Sequence, residues 1–87
     1  VNNTAIGSKA LYANTTGSKN TAVGFHTMQS ITGGDYNAAM GYNTLPNNSS
    51  GWANTAAGYQ SLDSNSTGTR NSAYGTSSLA YNTTGYY

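Results

Sequence analysis

The 87-residue sequence contains no cysteine, few charged residues and no long apolar run. Without cysteine the chain can form neither disulfides nor thiolate metal ligands. Charged residues make up 6% of the chain, with three Lys or Arg against two Asp or Glu. Nucleic-acid binding needs clustered basic side chains to neutralise phosphates, so we expect no nucleic-acid partner. No segment approaches the roughly 20 consecutive apolar residues of a membrane helix, and we expect no membrane span.

What the sequence does contain is a repeat. A segment of the form Asn-Thr-Ala-apolar-Gly recurs every 17 residues without insertion or deletion, beginning at Asn3, Asn20, Asn37, Asn54 and Asn71. The chain therefore divides into five tandem repeats, 3–19, 20–36, 37–53, 54–70 and 71–87, with residues 1–2 as the end of a preceding repeat. We number the positions of each repeat from the leading Asn, which is position 1. Position 3 is always Ala, positions 5 and 15 are Gly, position 9 is Leu or Met, and position 12 is Asn except at Ile31.

This pattern predicts an all-β chain. A helix is excluded because each repeat holds two glycines, and the apolar residues do not recur at helical spacing. Disorder is disfavoured because aromatic residues are frequent and the strict phase of Ala and Leu would have no cause. We expect a parallel β-solenoid, or β-roll, with one 17-residue coil per repeat and five coils, oligomeric in solution. At about 4.8 Å per coil the rod would be roughly 24 Å long.

Each coil is expected to contain two short strands and a turn. Positions 1–5 would form the first strand, with a bend and a positive φ at the position 5 glycine. Positions 8–11, around Leu, would form the second strand. The Asn-Thr-Thr-Gly segment at positions 12–15 has the residues of a tight turn, in which Gly accepts a positive φ.

Strand alternation assigns the side chains to faces. Ala at position 3 would pack inward against Leu at position 9, and position 4 would point outward. The outward residues form an apolar column that needs a cover and that we predict to be an inter-chain contact: Ile6, Val23, Met40, Ala57 and Tyr74. Position 6 adds an aromatic ladder on adjacent coils: Phe25, Tyr42 and Tyr59.

Position 12 also creates a row of Asn-x-Ser/Thr sequons. Its members are Asn14, Asn48, Asn65 and Asn82, and Asn2 and Asn47 also qualify. Such a column could carry glycans along one edge of a secreted fibre. The alternative, which we favour, is that these asparagines serve the turn.

Isolated titratable residues do not form a recognisable active site. Asp35 and Asp63 occupy unrelated repeat positions, so they do not form a pair for acid–base catalysis. His26 shares position 7 with polar residues and is interpreted as solvent-facing surface. The segment Gly33-Gly34-Asp35 lacks the recurrent Asp of calcium-binding β-rolls and is interpreted as a turn variant. We expect no enzyme activity, no cofactor and no metal.

The segment Asn-Thr-Ala-Ile-Gly-x-x-Ala-Leu at residues 3–11 is similar to the Ser-Val-Ala-Ile-Gly-x-x-Ala repeats in the head domains of trimeric autotransporter adhesins. Those heads are left-handed parallel β-rolls in which three chains pack side by side, which implies that the apolar column faces other chains. The longer form ending in Asn-Thr-Thr-Gly resembles repeats of bacterial surface proteins and phage tail-fibre proteins. The present repeat is longer than the usual adhesin repeat, and the turn would hold the additional residues.

Three functional hypotheses follow. The first is a structural or adhesive subunit of an extracellular fibre or surface appendage, which self-associates and binds glycans or a host surface through Tyr and Asn side chains. The second is a receptor-binding segment of a phage tail fibre. The third is an ice-binding solenoid, which needs a regular Thr array. Position 2 reads Thr4, Thr21, Ala38, Thr55 and Ser72, which is too irregular to favour the third.

Overall fold

The computed structural model describes residues 2–85, and the regular elements in this range are five short β-strands. Each strand covers positions 2–4 of one repeat: β1 Thr4–Ile6, β2 Thr21–Val23, β3 Ala38–Met40, β4 Thr55–Ala57 and β5 Ser72–Tyr74. This range contains no helix, and therefore none that could cross a membrane. Val1, Tyr86 and Tyr87 lie outside the described residues, and with them the predicted boundary at residue 87 and part of the predicted segment 1–2.

The five strands form one parallel sheet in the order β1-β2-β3-β4-β5. Identical repeat positions pair, so that Ala22 lies opposite Ala5 on one side and Ala39 on the other. A parallel sheet whose neighbouring strands are one repeat apart is a β-solenoid, which confirms the predicted fold class and its 17-residue coil. The molecule measures 26 × 21 × 14 Å.

The prediction of a second strand at positions 8–11 is wrong, because these residues form turns. Positions 7 and 9 have positive φ angles in every coil, as at Lys9 (61°) and Leu11 (53°), so the backbone cannot be extended there. A non-glycine residue in this conformation costs about 1–3 kcal/mol. Hydrogen bonds between coils offset that cost: the Leu11 N–H donates to the Thr27 carbonyl at 3.1 Å, and the His26 N–H to the Ser8 carbonyl at 3.0 Å.

At positions 5 and 15 the next coil lies too close for a side chain, and position 5 also needs glycine for its backbone conformation. The position 5 glycines have φ between 108° and 131°, which confirms the predicted bend. A positive φ was also expected at position 15, and this prediction is wrong, since Gly34 and Gly51 have none. A Cβ on Gly34 would instead overlap the carbonyl oxygen of Gly51 in the next coil. Position 15 is therefore glycine because adjacent coils approach too closely for any side chain.

The interior of the coil is narrow and partly polar. Small Ala side chains at position 3 and the position 9 side chains share one core, as predicted, and its buried members are Ala22, Met28, Ile31, Ala39, Leu45, Ala56, Leu62 and Ala73. Beside them lie fully buried polar side chains: Asn20, Asn37, Asn48, Asn54, Asn65, Thr27, Thr44 and Ser61. Buried polar groups must find hydrogen-bond partners inside the protein, so this core is organised by bonds as well as by packing.

Candidate binding surfaces

The position 1 asparagines form a continuous column of hydrogen bonds along the solenoid. In the first four coils the Oδ1 accepts the backbone N–H of the same position in the next coil, as in the 2.9 Å bond from the Asn54 N–H to Asn37 Oδ1. Each Nδ2 donates to the position 15 carbonyl of its own coil, as from Asn54 to Gly68 at 2.8 Å. The column thus links each coil to the next one and to its own turn. Its role is structural.

The position 12 asparagines form a second column, which is interrupted. Asn65 Nδ2 donates to Asn48 Oδ1 at 3.0 Å, and Asn82 Nδ2 donates to Asn65 Oδ1 at 3.1 Å. In the second coil the position is occupied by Ile31, which has no donor. The Oδ1 atom of Asn14 is consequently buried without a partner among the described residues.

The burial and hydrogen bonding of the position 12 asparagines determine whether the predicted sequons are accessible for glycosylation. An N-glycan is attached to Nδ2, and the side chains of Asn48 and Asn65 are fully buried with that atom already hydrogen-bonded. Asn14 and Asn82 are half-buried, and their Nδ2 atoms are also bonded. Glycosylation at Asn48 or Asn65 would require the coil to open, so the turn role of these residues is the one that fits the structure.

The outer face of the sheet carries the apolar column predicted at position 4. Ile6 is 61% exposed, Met40 60% and Tyr74 67%, while Val23 and Ala57 are half-buried. Between Val23, Met40, Ala57 and Tyr74 lies a shallow apolar groove of about 230 Å³. Position 2 lies on the same face and supplies Thr, Ala and Ser. No charged residue occurs at either position of the five strands.

The aromatic ladder at position 6 is present in the structure. The rings of Phe25 and Tyr42 stack at 5.2 Å and 18°, and those of Tyr42 and Tyr59 at 5.5 Å and 16°. His26 also stacks on Phe25, with ring centroids 3.8 Å apart. The interpretation of His26 as solvent-facing needs correction: the residue is only half-exposed, and its Nε2 is buried with no partner among the described residues.

A second aromatic group, which the sequence did not reveal, contains Tyr36 and Trp52. Both rings line a cleft of about 280 Å³ together with Gly33, Asp35 and Ser50. Lys19 Nζ lies 4.9 Å from the Tyr36 ring centroid and donates a 2.9 Å hydrogen bond to Tyr36 Oη. That hydrogen bond raises the pKa of Lys19 above its ordinary value. The sequence contains one indication of this cleft: position 14 is glycine at Gly33, whereas it is Thr or Ser in the other repeats.

Within residues 2–85, no three His, Cys, Asp or Glu side chains lie close enough together to hold a metal ion. The two aspartates are used by neighbours: Asp35 Oδ1 accepts the Ser18 N–H at 2.7 Å, and Asp63 Oδ1 accepts from Asn43 Nδ2 at 3.3 Å. No protein-family model matches the chain, and no curated protein or solved structure is significantly similar to it.

Proposed function

We propose that this chain is a structural and adhesive module of an extracellular fibre or surface appendage, on a cell or a virion. Its coils stack into a rigid rod, and rods associate laterally through the outer face of the sheet. The observation that carries this proposal is the apolar column at position 4, in which Ile6, Met40 and Tyr74 are exposed on that face. An uncharged apolar strip on a small polar rod is typical of a protein-interaction surface.

A second copy of the same chain is the partner that this face fits best. The exposed side chains repeat once per coil, at the strand spacing of about 4.8 Å. Another solenoid presents apolar groups with the same period, so many contacts form in one register. The face has no charge with which to select an acidic or a basic partner. Burial of Ile6, Met40 and Tyr74 would contribute about 1.5–3 kcal/mol per side chain.

The test is the mass of the chain in solution, measured by sedimentation equilibrium at high micromolar concentration. We expect a species heavier than the 9.0 kDa monomer. Met40→Lys places a charge in the middle of the exposed column and should yield the monomer without loss of β-structure. Thr67→Lys adds the same charge at an exposed position on the turn and should leave the association intact. A wild-type chain that remains at 9.0 kDa would contradict the proposal.

The ice-binding hypothesis is not supported by the same face. Ice binding needs a regular array of hydroxyl and methyl groups, and Thr4, Thr21 and Thr55 do lie in line on the sheet. Ala38 interrupts that line, and the large exposed side chains of Met40 and Tyr74 stand beside it. We therefore assign this face to association between chains.

A further inference from the structure

The cleft between Tyr36 and Trp52 lies where two neighbouring repeats place their small and large side chains at different positions. At position 14 the second repeat has Gly33, where the other repeats have Thr or Ser. At positions 16 and 17 the third repeat has Trp52 followed by Ala53, so its large side chain comes one residue earlier than Tyr36 does in the second repeat. The result is a gap of about 280 Å³ on the side of the rod, with an aromatic ring from each coil.

The backbone conformation and spacing do not require glycine at residue 33, whereas the spacing does require it at the adjacent Gly34. Its φ is not in the left-handed region, and a Cβ added there would approach only Thr16 Oγ1, at 3.3 Å. A Cβ on Gly34 would overlap the backbone of the next coil. The consequence of glycine at residue 33 is therefore open space in the cleft.

The two rings are exposed and their orientation is supported from outside the cleft. Tyr36 is 57% exposed and Trp52 41%. Lys19 lies over Tyr36, and the Arg70 guanidinium lies 4.5 Å from the Trp52 ring centroid. Lys19 belongs to the coil before Tyr36 and Arg70 to the coil after Trp52, so the cations flank the pair at its two ends. Such contacts contribute about 0.5–1 kcal/mol at exposed sites and restrict the rings.

Polar groups complete the lining. Ser18 holds the Asp35 carboxylate in place, donating from its backbone N–H at 2.7 Å and its hydroxyl at 3.2 Å to the same oxygen, Oδ1. The other oxygen, Oδ2, accepts no hydrogen bond from a described residue and can accept one from a ligand. Ser50 adds a hydroxyl. The cleft thus combines two aromatic residues with a fixed acceptor and a hydroxyl, so that it offers both ring surface and hydrogen-bonding groups to a ligand.

We propose that this cleft binds a pyranose ring of a carbohydrate. The C–H groups of a sugar face carry partial positive charge and pack against the negative face of an aromatic ring. The sugar hydroxyls on the ring edge can donate to Asp35 Oδ2 and bond to Ser50. A cationic ligand is disfavoured, because Lys19 and Arg70 outnumber the single carboxylate. The volume of about 280 Å³ lies just below the roughly 300–1,000 Å³ of pockets for drug-sized ligands, so it favours a small ligand such as one sugar ring over an extended one.

The site lies away from the sheet face, so the inference does not depend on association between chains. Tyr36, Trp52 and Asp35 are on the segment that follows the turn, whereas the apolar column is on the strands. Loss of sugar binding and loss of assembly can therefore be separated. Met40→Lys should bind sugar as the wild type does, and a sugar-site variant should still associate.

Trp52 is the only tryptophan of the chain, so its fluorescence reports on the cleft directly. The full chain would be titrated with the methyl pyranosides of glucose, galactose and mannose and with glucuronate, up to tens of millimolar. We expect a saturable change with at least one of them and a Kd on the order of 1 mM, as for a single small ring. Stronger binding of glucuronate would also support the site and would show that Lys19 and Arg70 favour acidic sugars.

Tyr36→Ala should weaken binding at least tenfold. The variant is expected to fold, because Ala53 occupies the same repeat position with nearly the same φ, 59° against 61°. Tyr59→Ala removes a similarly exposed tyrosine from the ladder and should leave the Kd unchanged. Gly33→Ser fills the cleft with the side chain that Ser50 has at the equivalent position, and should also weaken binding about tenfold.

Three outcomes would overturn the inference. The first is the absence of a saturable response to any of the four sugars by a chain whose circular dichroism shows it to be folded. The second is an equal loss of binding in Tyr36→Ala and Tyr59→Ala, which would indicate non-specific aromatic contact. The third is saturable binding of tetramethylammonium without binding of sugars, which would make the cleft an aromatic cage for cations.

Discussion

Two columns of asparagine run through the same solenoid, and they are built differently. At position 1, Asn54 Oδ1 accepts the backbone N–H of Asn71 in the next coil at 3.0 Å. At position 12, the backbone N–H of Asn65 already donates to the Leu62 carbonyl of its own coil. The side-chain amide of Asn65 donates to the side chain of Asn48 and to the Gly68 carbonyl in the turn. In the first column a side-chain oxygen takes the place of a main-chain acceptor for an N–H of the next coil. In the second column the side-chain bonds are additional to main-chain hydrogen bonds that are already formed.

The difference explains why one column tolerates an exception and the other has none. Removing a position 1 asparagine leaves a buried backbone N–H without an acceptor, and that loss costs the desolvation of the group. Where Ile31 replaces a position 12 asparagine, one side-chain oxygen, Asn14 Oδ1, has no partner among residues 2–85. It also adds a buried Ile to the core, which offsets part of the loss.

The largest effect is expected for Asn54→Ala. The variant loses both Nδ2 bonds and leaves the Asn71 N–H unpaired, so the free energy of unfolding should fall by about 3–5 kcal/mol. Urea denaturation followed by circular dichroism measures the loss. Hydrogen exchange should show that the Asn71 amide is the one that loses most protection. A loss below about 1 kcal/mol would show that the column is dispensable.

Asn65→Ala is the matched change in the second column, since Asn65 is as fully buried as Asn54. It should lower the free energy of unfolding by about 2 kcal/mol, because it leaves side-chain groups of Asn48 and Asn82 unpaired but no backbone N–H. The measurement is the same urea titration. Equal losses for the two variants would remove the distinction between the columns.

Ile31→Asn should repair the interrupted column and leave the free energy of unfolding within about 1 kcal/mol of the wild type, because a donor for Asn14 Oδ1 offsets the loss of buried Ile. The control is Leu45→Asn, which buries an amide at position 9, where no such column exists. It should cost about 4 kcal/mol, from lost packing and an unpaired polar group. Similar losses in the two variants, again by urea denaturation, would contradict the repair.

Asn14→Ala should have the smallest effect on the free energy of unfolding, less than about 1 kcal/mol. The Oδ1 of Asn14 has no partner in the described part of the chain, so the side chain loses only the 3.1 Å bond from Nδ2 to the Gly17 carbonyl. The comparison is with Asn65→Ala, in which the same residue type occupies the same repeat position. If Asn14→Ala were as costly as Asn65→Ala in the same titration, Asn14 Oδ1 would have a partner in solution.

Much of the fold could be predicted from the repeat. Strict 17-residue periodicity indicated that identical positions would stack, and Ala at position 3 and Leu at position 9 identified the core. The second strand was predicted wrongly because Leu rarely takes a positive φ, so nothing in its side chain signals the value of 53° at Leu11. The ladder of inter-coil bonds imposes that conformation.

The candidate sites were less predictable than the fold. The position 4 column followed from alternation in a strand, which is a local property. The cleft did not, because Gly33, Tyr36 and Trp52 come from two coils and from turns without regular alternation. Their proximity depends on how the turns of adjacent coils lie over one another.

The sequence by itself determined that this chain is a solenoid, because five copies with one period can satisfy their apolar and glycine positions together only by stacking in register. It also determined which residues form columns. Only the tertiary structure decided which donor each side-chain oxygen has. The Oδ1 of Asn54 accepts a main-chain N–H, that of Asn65 accepts a side-chain amide, and that of Asn14 has no donor among the described residues. The physical reason is that a hydrogen bond depends on the distance and direction between two atoms of adjacent coils. Periodicity places the coils one above another without specifying that geometry.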